Sequence, residues 1–174
     1  MVELVKVYGQ DTPDMRFVGR KYGAADMAPG GGYGNVWGDW FSKGLFAPLE
    51  KLYEEHRAGI EDDGAYVGLI RNKPGEPSEY WVGMFLEADA PVPEGYQYVD
   101  FPAGRLGVAW LKGPEWEIYS AEKTAVRGLG EAGFRPAADA DGAVCFAERY
   151  ACPRFTAADE NGCVTLDICV FAED

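Results

Sequence analysis

The segment AVCFAERYA, residues 143–151, decides how the rest of this sequence is interpreted. As a β-strand, its alternation places Phe146, Glu148 and Tyr150 on one face of a sheet and Arg149 on the other. A carboxylate between two aromatic rings on a buried face costs free energy unless a partner compensates its charge. Glu148 is therefore the first candidate functional residue.

The elements around this strand form a unit with the order strand, helix, strand, strand. RLGVAWLKG (105–113) alternates as a strand, and the helical pattern that follows begins with Pro114 and stops near Gly133. After the strand at 143–151, CVTLDICVF (163–171) is predicted to be the last strand of the unit. Glu148 thus lies on the penultimate strand of the chain.

The first half of the chain shows the same order of elements. MRFVGRKYG (15–23) is predicted to be a strand, and residues 36–59 repeat apolar positions at helical spacing. Pro48 suits the first turn of a second helical segment, so we expect a break within the four residues before it. AYVGLIR (65–71) and EYWVGMFLE (79–87) are the two strands that complete this half.

These patterns predict an α+β fold in one domain of 174 residues. Two βαββ units, at about 10–90 and about 100–174, are expected to form antiparallel sheets in a pseudo-twofold arrangement, with the two main helices packed on them. Duplications of this kind place a concave site at the seam, where ligand pockets often form. We therefore expect a ligand cleft between the halves.

Net charge limits the classes of partner. The formal charge is −13, from 29 acidic and 16 basic residues. Phosphate binding needs a cationic surface, so this charge argues against direct contact with nucleic acid and favours cationic ligands. The apolar runs are short, and charges interrupt the N-terminal MVELVKVYGQ, which predicts neither a membrane span nor a signal peptide. We expect a cytoplasmic protein.

The cysteines and the single histidine do not suggest a metal centre. Cys145, Cys152, Cys163 and Cys169 include no CxxC pair, and His56 is distant from them in sequence. We expect reduced structural thiols, no metal ion and no cofactor. With one histidine, neither a Ser-His-Asp nor a Cys-His catalytic set is available.

Four short motifs in order resemble the GyrI-like small-molecule-binding family: VPEG (92–95), FPAG (101–104), KGP (112–114) and FAERY (146–150). This domain is also the effector-binding part of AraC-type and MerR-type multidrug regulators. The resemblance implies paired SHS2-like modules and a pocket for lipophilic, cationic, drug-like molecules, with Glu148 as the acidic residue that attracts them.

The sequence departs from this family at both ends. It finishes CVFAED instead of on an Ile-Pro-Ile-like tripeptide, which leaves the register of the last strand open. The first 14 residues are too short for the DNA-binding module of the regulators. The resemblance therefore implies the stand-alone form, and its assembly as a monomer or a homodimer stays open.

The candidate ligand-binding set combines the glutamate with aromatic residues near the predicted seam. Each aromatic residue suits the core equally well, but five tryptophans exceed what a core of this size needs. For Glu148 the alternative is a structural ion pair with Arg149, Arg154 or another basic residue. The set consists of Tyr33, Trp37, Trp40, Trp81, Trp110, Phe146, Glu148 and Tyr150.

Three functions follow from these residues, of which cation binding is favoured. A buried glutamate with a raised pKa can also act as a general acid or base. Some stand-alone relatives in the family are hydrolases that open cyclopropane rings in toxic compounds, and Glu148 with Tyr150 could serve that chemistry. The third alternative is a protein-interaction module, by analogy with gyrase-inhibiting relatives.

Overall fold

The computed structural model describes all 174 residues and contains eight strands and four α-helices. The strands are β1 (Glu3–Thr12), β2 (Met15–Tyr22), β3 (Tyr66–Asn72), β4 (Glu79–Glu87), β5 (Gln97–Phe101), β6 (Gly104–Pro114), β7 (Val144–Tyr150) and β8 (Cys163–Ala172). The helices are α1 (Gly34–Ser42), α2 (Ala47–Glu55), α3 (Glu115–Ile118) and α4 (Glu122–Glu131), and a 3₁₀ turn at Tyr119–Ala121 joins the last two.

All eight strands belong to one antiparallel sheet, in the order β1-β6-β8-β7-β3-β4-β2-β5. The α+β prediction is confirmed. The two halves share this sheet because β3 of the first half pairs with β7 of the second. The outermost strands were not predicted from the sequence: β1 extends the second half beside β6, and β5 extends the first half beside β2.

The helix break expected before Pro48 is confirmed. α1 ends at Ser42 and α2 begins at Ala47, with Pro48 in its first turn, where no backbone N–H donor is needed. The second helical segment is also interrupted, by the 3₁₀ turn at Tyr119–Ala121. No helix of the structure is long and apolar enough to cross a membrane.

Both pairs of helices pack on the same face of the sheet. Trp40 and Leu49 of α1 and α2 are fully buried against strands β2 and β4. Ala125 and Leu129 of α4 are buried against β6 and β8. The central strands β3 and β7 lie between these two blocks. The seam between the halves therefore stays uncovered where the strands of the two halves meet.

The opposite face of the sheet is buried because the sheet curves and brings side chains from distant strands into contact. Phe101 of edge strand β5 stacks on Phe171 of β8 with ring centroids 4.1 Å apart, although four strands separate β5 from β8 in the sheet. Phe85 of β4 also contacts Phe171, at 5.8 Å. The sheet thus closes over a second apolar core, and the helix-covered face is the one that can offer a cleft.

Candidate functional site

A cleft of about 1390 Å³ lies between the two helical blocks, over the β3–β7 pair. Its floor carries side chains from the central strands, and one wall comes from the segment leading into α1 and from α1 itself. The opposite wall comes from α3, the 3₁₀ turn and α4. Prominent lining residues are Tyr33, Trp37, Phe41, Tyr66, Tyr80, Glu115, Tyr119, Glu122, Glu148, Tyr150 and Phe155.

Glu148 lies in the floor of this cleft with 9% of its surface exposed. The hydroxyl of Tyr150 donates a hydrogen bond to its Oε2 at 2.7 Å, and the hydroxyl of Tyr80 donates to the same oxygen at 3.0 Å. No hydroxyl or N–H group of the protein donates to the other oxygen, Oε1. The carboxyl group of Glu122 is a further side-chain hydrogen-bond partner of Glu148, so Glu148 meets two hydroxyls and a second carboxyl group but no basic side chain.

The pKa of Glu148 is raised from 4.5 to about 8, and the largest cause is burial, because the charged form loses its hydration in the cleft. The nearby carboxyl group of Glu122 contributes to the same rise through a hydrogen bond between the two carboxyl groups and because two carboxylates at close range disfavour double ionisation. The hydroxyls of Tyr80 and Tyr150 act in the opposite direction. In the empty cleft at neutral pH, Glu148 therefore holds a proton more often than it releases one.

Basic residues near Glu148 are paired elsewhere. Arg149 points to the opposite face of the sheet, where its Nε lies 2.8 Å from Oδ2 of the buried Asp167. Arg154 pairs with Asp62 at 2.7 Å and also contacts Asp167. Glu148 therefore forms no ion pair with Arg149 or Arg154. The prediction that Glu148 and Arg149 lie on opposite faces of the sheet is confirmed.

The aromatic side chains around Glu148 hold one another in place. Tyr33 stacks on Tyr80 with ring centroids 4.2 Å apart and an interplanar angle of 2°. The indole N–H of Trp37 donates to the Tyr80 hydroxyl oxygen at 2.9 Å. The ring of Trp37 also meets Tyr150 edge-on at 4.9 Å. The tyrosines that bind Glu148 are thereby fixed by the wall of the cleft.

Gly68 of β3 makes room for this arrangement. It pairs with Glu148 across the β3–β7 ladder. A Cβ atom at this position would lie 2.4 Å from the Tyr80 hydroxyl oxygen and 3.0 Å from Oε2 of Glu148, closer than van der Waals contact allows. Only glycine here lets Tyr80 reach the carboxyl group from the neighbouring strand.

The charge of the cleft is strongly negative. Arg57 is the single basic residue in its lining, and it is engaged with Asp63 at 3.0 Å. Asp62 and Glu79 pair with Arg154 and Arg71, which lie outside the lining. The acidic lining residues without a basic partner are therefore Glu50, Glu115, Glu122 and Glu148, which together favour a positively charged ligand. The acidic lining residues are Glu50, Asp62, Asp63, Glu79, Glu115, Glu122 and Glu148.

Four of the predicted site residues line the cleft together: Tyr33, Trp37, Glu148 and Tyr150. Phe146, two residues before Glu148 on the same face, lines a smaller groove that adjoins the cleft. Two sequence periodicities bring these residues together. Alternation along β7 places Phe146, Glu148 and Tyr150 on one face, and the four-residue spacing of Tyr33, Trp37 and Phe41 places them on one side of the α1 region.

Three predicted tryptophans do not reach the cleft. Trp40 lies on the sheet-facing side of α1, fully buried, where its indole N–H donates to the Tyr22 hydroxyl oxygen at 2.7 Å. Trp81 lies on the opposite face of the sheet because it alternates with Tyr80, which faces the cleft. Trp110 is on that opposite face too, where Arg154 lies over its ring.

Several residues that shape the site were not predicted from the sequence. Tyr80 escaped notice because both faces of EYWVGMFLE are apolar, so that alternation alone does not say which face meets the helices. Glu122 is one of many acidic residues in helical segments, and nothing local distinguishes it. Gly68 is required by a contact with a neighbouring strand, which no single segment encodes.

The cleft shows no donor set for a metal ion or a phosphate group. No cluster of three or more histidine, cysteine, aspartate or glutamate side chains is arranged to hold a metal ion. The glycine-rich segment at 30–35 leads into α1 at the rim of the cleft. What the site presents chemically is a protonatable carboxyl group, several fixed tyrosine hydroxyls and aromatic walls.

Sequence comparison assigns no family to the chain, since no family model and no curated protein matches it. Solved structures match over nearly the whole length. SAV2435 bound to tetraphenylphosphonium superposes with a TM-score of 0.68 at 13% identity, over 97% of this chain and 94% of that chain.

Two further structures share the fold. A Staphylococcus aureus MU50 protein with a proposed role in transcription regulation gives a TM-score of 0.64 at 13% identity, over 98% of this chain and 99% of that one. A hydrolase from Listeria innocua gives 0.51 at 11% identity, over 97% and 92% of the two chains. At these identities the likeness shows the fold alone.

Proposed function

We propose that the protein binds lipophilic organic cations in the cleft between its two halves, with Glu148 as the charge that selects them. One observation carries the proposal: a buried carboxyl group has two tyrosine hydroxyls and a second carboxyl group as partners but no basic one, because the basic residues around it are paired elsewhere. When it is ionised, such a group has no counter-charge in the protein, and an organic cation can supply one.

The aromatic walls suit the apolar part of such a ligand. The rings of Tyr33, Trp37, Tyr66 and Tyr80 line the cleft, with Tyr33 and Tyr80 stacked on each other. Each ring face adds cation–π attraction of about 0.5–2 kcal/mol when it is desolvated. An organic cation gains both this attraction and the burial of its apolar surface, whereas a small hydrated cation loses its hydration without that gain.

The likeness to SAV2435, a protein solved with tetraphenylphosphonium, supports this choice of ligand class. It also supports membership in the GyrI-like small-molecule-binding proteins, which the order of the four motifs suggested. The fold match to a protein with a proposed role in transcription regulation fits the use of this fold as a drug-sensing domain.

Two ions of matched shape and opposite charge test the proposal. Tetraphenylphosphonium and tetraphenylborate have nearly the same size and apolar surface. Titration of the protein with each ion, followed by tryptophan fluorescence, should show saturable quenching of Trp37 by the phosphonium and none by the borate. Equal affinity for the two ions would show that the cleft selects for apolar surface and not for charge.

Hydrolysis of strained small molecules is the second candidate function. The observation that favours it is the pKa of Glu148, raised to about 8, beside a second carboxyl group and two hydroxyls. In its ionised form the carboxyl group can accept a proton from water while the water oxygen bonds to one ring carbon. The ring bond that breaks leaves its electron pair on the second carbon, which then takes the proton from the carboxyl group. The sum of these steps is the addition of water across a strained ring bond.

Mass spectrometry separates binding from hydrolysis. We expect cationic ligands and cyclopropane-bearing alkylators to be recovered unchanged after long incubation with the protein. A product heavier by one water molecule, formed by the wild type and absent with Glu148→Gln, would assign the chemistry to Glu148 and make the protein a hydrolase.

A further inference from the structure

A second cavity of about 240 Å³ adjoins the cleft at Glu148. Three residues line both cavities: Ile70, Glu122 and Glu148. The other residues that line the smaller cavity are apolar. They are Val126 of α4, Phe146 and Ala147 of β7, and Ile168 of β8. We call this cavity the aliphatic groove, and the carboxyl groups of Glu122 and Glu148 lie where it adjoins the cleft.

The register of the central strands sets the order of these features. Tyr66 pairs with Tyr150, Gly68 with Glu148, and Ile70 with Phe146. Each step of two residues advances about 6.8 Å along a strand. The β3–β7 pair therefore presents an aromatic compartment, then a carboxyl group, then the aliphatic groove, in a row and on one face.

Helix α4 supplies the outer side of the groove. Glu122 and Val126 are four residues apart and lie on the same side of the helix, toward the central strands. Val126 is 42% exposed, so the apolar wall is open to an incoming chain. Glu122 stands beside Glu148 where the groove meets the cleft.

We propose that the aliphatic groove is a subsite for the alkyl chain of an aryl-alkyl quaternary ammonium ion. The ring of such a ligand lies in the aromatic compartment, its nitrogen lies beside the carboxyl groups of Glu122 and Glu148, and its chain enters the groove. This assignment rests on the proposed function and narrows its ligand class to cations with unlike substituents on two sides. The aromatic compartment accounts for the ring, the two carboxyl groups account for the charged nitrogen, and the apolar groove accounts for the alkyl chain.

A chain-length series tests the subsite. Benzyltrimethylammonium, benzyldimethylbutylammonium and benzyldimethylhexylammonium differ only in the alkyl chain, and calorimetric titration gives a dissociation constant for each. In the wild type, each added methylene that the groove buries should strengthen binding about fourfold, up to the length at which the groove is full.

Two tryptophan substitutions on α4 complete the design. Val126→Trp fills the groove and should abolish the gain with chain length while leaving benzyltrimethylammonium binding within about twofold of wild type. Ala132→Trp adds the same side chain at an exposed position at the end of α4, without a change of charge, and should retain the gain.

The outcomes distinguish the subsite from the function on which it rests. If benzyltrimethylammonium binds and longer chains bind no better, the groove is not a subsite and the proposed function stands. A gain with chain length that persists in Val126→Trp would also overturn the subsite. Failure of all three ions to bind would overturn both proposals.

Discussion

Glu148 and Arg149 are adjacent in β7, yet their side chains meet opposite electrostatic conditions on the two faces of the sheet. Arg149 lies 2.8 Å from the buried carboxylate of Asp167 and has 2% of its surface exposed. Glu148 meets two tyrosine hydroxyls at Oε2 and the neighbouring carboxyl group of Glu122, but no basic side chain. Arg149 completes a structural ion-pair network, whereas Glu148 has no basic partner in the protein and can pair with a cationic ligand.

The substitution Glu148→Gln is expected to stabilise the empty protein at high pH. The pKa of Glu148 is about 8 in the folded protein and near 4.5 in the unfolded chain, so the folded state binds its proton more tightly. Through this group the free energy of unfolding falls as pH rises from about 4.5 to about 8. Urea denaturation at about pH 5 and about pH 9 should show a stabilising effect of glutamine only at the higher pH.

Arg149→Met should have the opposite effect on stability. It leaves Asp167 buried with Arg154 as its remaining partner. Removal of one member of a buried pair costs about 3–5 kcal/mol, and the retained Arg154 should place this case at the lower end. The same urea titration measures it, and a loss below about 1 kcal/mol would show that Arg154 alone compensates Asp167.

Gly68→Ala tests whether ligand binding requires the contact between the Tyr80 hydroxyl and Glu148. The added methyl group would overlap the Tyr80 hydroxyl oxygen, and we expect Tyr80 to be displaced and tetraphenylphosphonium to bind at least about tenfold more weakly. Gly130→Ala in α4 is the control, since a Cβ atom there meets nothing within 4 Å. It should raise stability by about 0.5–1 kcal/mol and leave affinity unchanged. Wild-type affinity in Gly68→Ala would mean that this contact is not needed for binding.

The sequence predicted the elements of the fold better than their assembly. Alternation in β7 and the position of Pro48 were sufficient to place Glu148 on its face and to break the first helix, because both signals are local. Strands β1 and β5 escaped notice because charged and polar residues interrupt them at the edges of the sheet. Edge strands carry weak apolar alternation, since much of their surface stays in water.

The choice among aromatic residues for the site needed tertiary information. Tyr80 and Trp81 are consecutive, and only the packing of α1 decides which of them faces the cleft. Trp37 and Trp40 are three residues apart on neighbouring sides of one helix, and both sides are apolar because Trp40 faces the core and Trp37 faces the cleft. The number of aromatic residues in the sequence does not indicate which of them face the core and which face the cleft.

Binding of tetraphenylphosphonium is expected to release a proton. The phosphonium carries its charge at every pH, and it favours the ionised form of Glu148, whose pKa in the empty cleft is about 8. Affinity should therefore rise by about tenfold per pH unit between about pH 6 and pH 8 and then level off. Calorimetry in buffers of different ionisation enthalpy measures the released proton. A flat profile, or the same slope in Glu148→Gln, would contradict this linkage.

The most direct measurement is the dissociation constant of tetraphenylphosphonium for Glu148→Gln and for Glu115→Gln at about pH 9, where Glu148 of the wild type is ionised. Glu115 lines the same cleft and Tyr119 is its hydrogen-bond partner at an exposed site, so each variant removes one carboxylate from the cleft. A charge in the buried floor acts through a lower effective dielectric constant than one at the exposed wall. We predict binding at least about tenfold weaker for Glu148→Gln and within about threefold of wild type for Glu115→Gln. Equal affinity of Glu148→Gln and the wild type would contradict the role of Glu148 as the selecting charge.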